Sequence, residues 1–214
     1  MELRGERECL ECGSTWSYFD SRQVCCPECG SIRSQSVSSP RMDSTSDVDI
    51  VDSEVLTGIG ENFDETLSEL EERCRRYTSQ TGFVEKGDLK PPTPRYVMAC
   101  EIKHAATTRD AEGLDEKSRR YVVDLVHGIR DGEPPDKTPS GLQETHNLAI
   151  AETVRDYSTE VERYARKRGV ETPGEVERAR SLAKRTLATE GVKDDAVEGL
   201  RHLREAHDEL TSYQ

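Results

Sequence analysis

Four cysteines near the N-terminus are the residues in this chain whose type and spacing define a chemistry. Cys9 and Cys12 stand in Cys-Leu-Glu-Cys-Gly, Cys26 and Cys29 in Cys-Pro-Glu-Cys-Gly, with thirteen residues between Cys12 and Cys26. Two Cys-x-x-Cys knuckles so placed can close a tetrahedral shell of thiolates around one zinc ion. The glycine after each second cysteine, Gly13 or Gly30, can take the left-handed backbone that brings the main chain close to the sulfurs. Pro27 stiffens the second turn. Iron also accepts four thiolates, so an iron centre of the rubredoxin type is the rival metal. A redox dithiol would be a single Cys-x-x-Cys beside a βαβ pattern, which this sequence lacks. Cys25 adjoins Cys26 and is an alternative to it as ligand. Only Cys26 gives the two-residue spacing to Cys29, so Cys25 reads as a strand residue.

The segment between the knuckles must hold them in register. Thr15 to Phe19 is aromatic and partly alternating, as in a strand; Asp20-Ser21-Arg22 supplies a turn, and Gln23-Val24-Cys25 can return. The expected result is a β-hairpin between two metal knuckles, a zinc ribbon over residues 1–35. A unit of this size cannot bury enough apolar surface to fold unaided, so one structural Zn2+ is expected to hold it together. Residues 36–52 are rich in Ser, Asp and Thr and read as a flexible acidic linker.

Beyond the linker the period changes to that of a helix. Ile59, Phe63, Leu67, Leu70, Cys74 and Tyr77 form one amphipathic stripe. A second helix is predicted from Thr93-Pro94 to about residue 109, and a third over roughly residues 115–130. A longer one spans 140–168 and is capped by Gly169; Thr172-Pro173 opens another, and the last covers 194–213. No β pattern is legible after residue 50. Residues 53–214 are therefore expected to be an all-α helical bundle of about six helices.

Charge limits the partners. The 214 residues carry 43 acidic against 30 basic side chains, a net charge of -13, and the bases are 22 Arg and only 8 Lys. An acidic surface poor in Lys suits a high-salt cytosol, where self-repulsion is screened, so the composition reads as halophilic. Residues 1–41 hold six acids and five bases before any thiolate is counted. Trp16, Tyr18 and Phe19 with Arg7, Arg22 and Arg33 could stack on nucleic acid, but phosphate binding wants a positive excess that the module does not have. Packing is the stronger use for those aromatics. No segment approaches the ~20 apolar residues of a membrane helix, and the first residues have no signal-peptide core, so a cytoplasmic, reduced location is expected. Cys74 and Cys100 fall in helical patterns as small apolar residues.

The Cys9/Cys12 and Cys26/Cys29 pattern resembles the zinc ribbon of the transcription factor IIB type. A longer resemblance is to a haloarchaeal uncharacterised family with an N-terminal zinc ribbon. It rests on Arg4-Gly5-Glu6-Arg7-Glu8-Cys9, Trp16-Ser17-Tyr18 and Cys26-Pro27-Glu28-Cys29-Gly30-Ser31. Cys74-Arg75-Arg76-Tyr77, Gly82-Phe83-Val84, Glu101-Ile102-Lys103-His104 and residues 153–157 extend it. The first likeness implies docking on RNA polymerase or another transcription component, or contact with nucleic acid.

Catalytic candidates are sparse. Glu101 and His104 share a helix face at the spacing of carboxylate-bridged di-metal bundles, which need two such pairs and two further Glu. Only one pair is present, so a structural or surface role is favoured. Glu198, His202 and Glu205 share a face at i, i+4 and i+7 and read as a solvated stripe. No catalytic residues are assigned. The expectation is a non-enzymatic zinc-binding protein whose ribbon recognises a protein or nucleic acid. Alternatives are a metal-dependent enzyme with its site in the bundle around Glu101 and His104, and an iron-bound electron carrier.

Overall fold

The computed structural model describes residues 6–9, 11–17, 26–31, 33–36, 49–85, 87–108, 113–188 and 193–211. The chain divides into two compact units, Met1–Met42 and Asp43–Gln214. Tyr18, Phe19, Arg22, Cys25 and residues 37–48 of the expected linker lie outside the described residues.

The first unit is a small antiparallel sheet. Strand β1 (Glu6–Cys9) lies between β2 (Thr15–Ser17) and β3 (Ser34–Ser36). Arg7 pairs with Trp16 on one side and with Ser36 on the other. The first cysteine of the first knuckle thus ends the central strand. The expected return strand at Gln23-Val24-Cys25 lies outside the described residues, and the described third strand comes from beyond the second knuckle.

The second unit is mostly helical, with seven helices among the described residues. They are α1 (Ser53–Glu61), α2 (Phe63–Gln80), α3 (Pro94–Thr108), α4 (Glu116–Asp131), α5 (Gln143–Arg168), α6 (Gly174–Ala188) and α7 (Lys193–Thr211). The expected stripe from Ile59 to Tyr77 is two helices, because the chain breaks at Asn62, where φ is -132° and ψ 62°. Both halves still bury the stripe: Ile59 is 3% exposed, and Leu67 and Leu70 are fully buried. Ile50 and Val51, in the segment read as linker, are buried too, and the Asp52 side chain accepts from the Val55 N–H to cap α1.

A short hairpin corrects the expectation of no β structure after residue 50. Strands β4 (Val84–Glu85) and β5 (Asp88–Leu89) pair antiparallel through a turn holding Gly87 at φ +90°, a backbone that favours glycine. Two residues per strand are too few to show a period of two. Beside the hairpin, Phe83 inserts its ring between Tyr96 and Tyr157, with centroids 4.9 and 5.1 Å away in edge-on arrangements.

The longest helix, α5, organises the unit. It packs on α3, α6 and α7, while α3 also touches α2 and α4. Caps follow the sequence signals: Asp115 accepts from the Ser118 N–H at 2.7 Å to start α4, and Gly132 and Gly169 end α4 and α5 in the left-handed conformation. No helix among the described residues is long and apolar enough to cross a membrane.

Candidate metal centre

The two knuckles are built alike from the backbone up. In the first, the Cys9 N–H donates to the Ser14 carbonyl and the Gly13 N–H to the Cys9 carbonyl, both at 2.9 Å. In the second, the Cys26 N–H donates to Ser31 at 2.8 Å and the Gly30 N–H to Cys26 at 2.9 Å. Gly13 and Gly30 have φ of +72° and +71°. A Cβ at either meets nothing within 4 Å, so the conformation itself, not crowding, favours glycine there. Each knuckle hides its first sulfur-bearing residue and presents its second: Cys9 and Cys26 are buried, Cys12 and Cys29 exposed.

Facing each other, the knuckles bring the Sγ atoms of Cys9, Cys12, Cys26 and Cys29 within 4.8 Å of one another. Cys9 and Cys29 approach to 3.4 Å and Cys12 and Cys26 to 3.6 Å. Zinc–sulfur bonds of 2.3 Å in a tetrahedron require sulfur–sulfur edges of about 3.8 Å. The residues therefore fit a four-thiolate metal, and small shifts of sulfur complete the shell. All four cysteines singled out from the sequence are brought together. Among the described residues they form the only group of three or more candidate ligands.

Ser14 was not singled out in the sequence. Its hydroxyl lies 3.4 Å from both the Cys12 and the Cys26 sulfur. The legible signal was the repeat Cys-x-Glu-Cys-Gly-Ser, read twice from Cys9 and from Cys26. The Ser14 hydroxyl is the first cause holding Cys26 down to about 6, and it also lowers Cys12. The Ser31 backbone pulls Cys29 down, but its contacts with the Cys9 and Cys12 thiols outweigh this and raise it to about 12. Ionising one thiol makes the next harder to ionise, a conflict that a divalent cation relieves. Glu11 in the first knuckle meets Arg33 after the second at 2.8 Å, an exposed ion pair that ties the two together.

The helical unit holds the other candidates, arranged differently from the sequence expectation. Glu101 and His104 do not share a site. Glu101, 2% exposed, accepts from the Tyr121 hydroxyl at 2.8 Å and faces the Nδ1 of His146 at 2.9 Å. A carboxylate only accepts, so His146 Nδ1 carries the proton of that bond. Tyr121 gives its single proton to Glu101, so Thr138 donates to the Tyr121 oxygen at 3.0 Å. Burial, reinforced by the Glu101 charge, pushes Tyr121 well up and keeps it a donor.

His104 reaches Glu152 on α5 at 3.1 Å, and Lys103 reaches the other oxygen of Glu152 at 2.9 Å. Burial raises Glu152, yet the His104 hydrogen bond and the Lys103 charge overcome it and hold the carboxyl down at about 2. Tyr96 donates to Asp156 one turn further along α5, at 2.8 Å. The stripe at Glu198, His202 and Glu205 is also corrected: His202 is 8% exposed, buried rather than solvated, with Glu198 and Glu205 beside its ring. Cys74 and Cys100 are fully buried, and burial pushes Cys74 up to about 12 and Cys100 well above its ordinary value, so both are unreactive thiols.

A pair of cysteine knuckles forming a four-sulfur cluster, on a chain otherwise mostly helical, defines the class: a protein with a candidate metal centre. The chain belongs to a family of unknown function, DUF7117, whose model matches residues 1–213. No curated protein and no solved structure matches it.

Proposed function

We propose that this is a non-enzymatic zinc-binding protein whose N-terminal unit is a zinc ribbon of the transcription factor IIB type. The observation that carries this reading is the convergence of Cys9, Cys12, Cys26 and Cys29 from two knuckles with matching backbone hydrogen bonds. Zinc there is structural: four protein sulfurs fill the shell and leave no position for a substrate. The ribbon serves as a recognition module for a protein partner, a transcription component such as RNA polymerase being the first candidate by resemblance. The acid-rich composition argues for a protein surface over nucleic acid. The Lys-poor acidity fits a cytoplasmic, halophilic setting.

Engagement of Glu101 by Tyr121 and His146, and of His104 by Glu152, supports a structural role for both over the metal-enzyme alternative. Metal analysis of the purified chain tests the reading, with one zinc per chain expected. Cys9→Ser and Cys26→Ser should each abolish zinc retention; unchanged metal content would sink the ribbon. A red, iron-loaded protein would favour the electron carrier instead. Pull-down from a high-salt lysate, with and without the cysteine substitutions, tests the transcription context.

A further inference from the structure

The geometry points to a peroxide-responsive centre, in which oxidation joins Cys9 to Cys29 and Cys12 to Cys26 and expels the metal. This regulation rests on the zinc reading above. Two observations carry it. The exposed cysteines, Cys12 and Cys29, come one from each knuckle, and so do the buried ones. The short sulfur–sulfur contacts, 3.4 Å for Cys9 with Cys29 and 3.6 Å for Cys12 with Cys26, each run from one knuckle to the other. Each contact therefore couples one exposed cysteine to one buried partner.

That pairing separates the attacked sulfur from the resolving one. A peroxide reaches the exposed thiolate, whose sulfur takes one oxygen to become a sulfenic acid while hydroxide leaves. The buried neighbour, screened from external thiols, attacks that sulfur, forms the disulfide and expels a second hydroxide. For the whole centre, four thiolates and two hydrogen peroxides give two disulfides and four hydroxides, with the zinc set free as the dication. A disulfide sulfur has lost the negative charge that bound the metal, so retention and cross-linking exclude each other. Closing to a disulfide bond of about 2.05 Å needs each pair to move by less than 2 Å. The two cross-links still join the knuckles, so reduction regenerates the same four ligands. The fully buried Cys74 and Cys100 stand apart from this chemistry.

The test uses the full zinc-loaded chain, treated with hydrogen peroxide beside a chromogenic zinc chelator, then alkylated and mapped by non-reducing mass spectrometry. Release of one zinc per chain is expected, together with Cys9–Cys29 and Cys12–Cys26 cross-links and recovery of zinc binding after dithiothreitol. A triple variant, Cys25→Ser with Cys74→Ala and Cys100→Ala, should release zinc with the same stoichiometry and the same linkages. Disulfides within a knuckle, linkage through Cys25, sulfinic acids in place of disulfides, or zinc retained under peroxide would each overturn the inference alone. A chain that neither carries nor takes up zinc would instead overturn the zinc reading beneath it.

Discussion

The Glu101–His146 pair offers the sharpest quantitative test of the helical unit. Glu101 projects from α3, His146 from the first turn of α5, and their atoms meet at 2.9 Å with the carboxyl almost fully buried. Glu101→Gln keeps the volume and lets the amide oxygen still accept from Tyr121. The amide nitrogen then points a donor at Nδ1, so the contact survives only if the imidazole moves its proton to Nε2, and the charge-assisted part of the bond is lost either way. A hydrogen bond to a charged group contributes about 1.5–3 kcal/mol. The His146 side chain is 31% exposed and partly screened, which places the expected coupling near the bottom of that range, about 1.5 kcal/mol. The assay is a double-mutant cycle of Glu101→Gln, His146→Ala and their combination. Each is unfolded in urea, followed by far-UV circular dichroism, and compared at equal m-values. A coupling below about 0.3 kcal/mol would refute the argument that this bond, rather than packing around it, fixes α3 against α5.

Three further outcomes are expected. Glu152 is held at about 2 against an ordinary 4.5, so its deprotonated form favours folding. Its contribution, about 3 kcal/mol from the size of the shift, is complete above pH 4.5 and lost as pH falls towards 2. Urea midpoints measured across that window check the sign, and Glu152→Gln should flatten the profile. A Cβ on Gly128 would lie 2.5 Å from the Glu133 carbonyl oxygen and 2.9 Å from the Met98 sulfur. Gly128→Ala is therefore expected to cost about 1–3 kcal/mol by overpacking, and an unchanged melting temperature would contradict the close approach. Stripping zinc with a strong chelator should abolish amide-exchange protection in β1 while leaving the helical circular dichroism intact, because the four cysteines belong to one compact unit and the helices to the other.

The cysteine cluster was the most legible feature of the chain, for a local reason. A knuckle is closed by hydrogen bonds between residues five apart or fewer, so Cys9 to Ser14 and Cys26 to Ser31 carry their own geometry in the sequence. Helix positions were nearly as readable: the 3.6-residue stripe marks the buried face of α4, and Asp115 and Gly132 mark its ends. The break at Asn62 was not. The stripe from Ile59 to Tyr77 keeps its spacing across it, and periodicity reports which residues are buried, not whether the axis is continuous. The β4–β5 hairpin was missed because its strands are too short to alternate.

What the sequence determined by itself, then, was local: the cysteine knuckles, the caps, and the face each helix buries. Only the tertiary structure decided how the polar residues on those faces combine. Glu101 and His104 looked like one site because a single helix holds them three residues apart. Packing sends Glu101 to His146 and Tyr121, 45 and 20 residues distant, and turns His104 to Glu152, 48 residues distant. Such choices depend on the register of α3 against α4 and α5, set by the whole interface of side chains at once. A helical period fixes the direction a side chain leaves its own axis, and the neighbour it meets there is supplied by the fold.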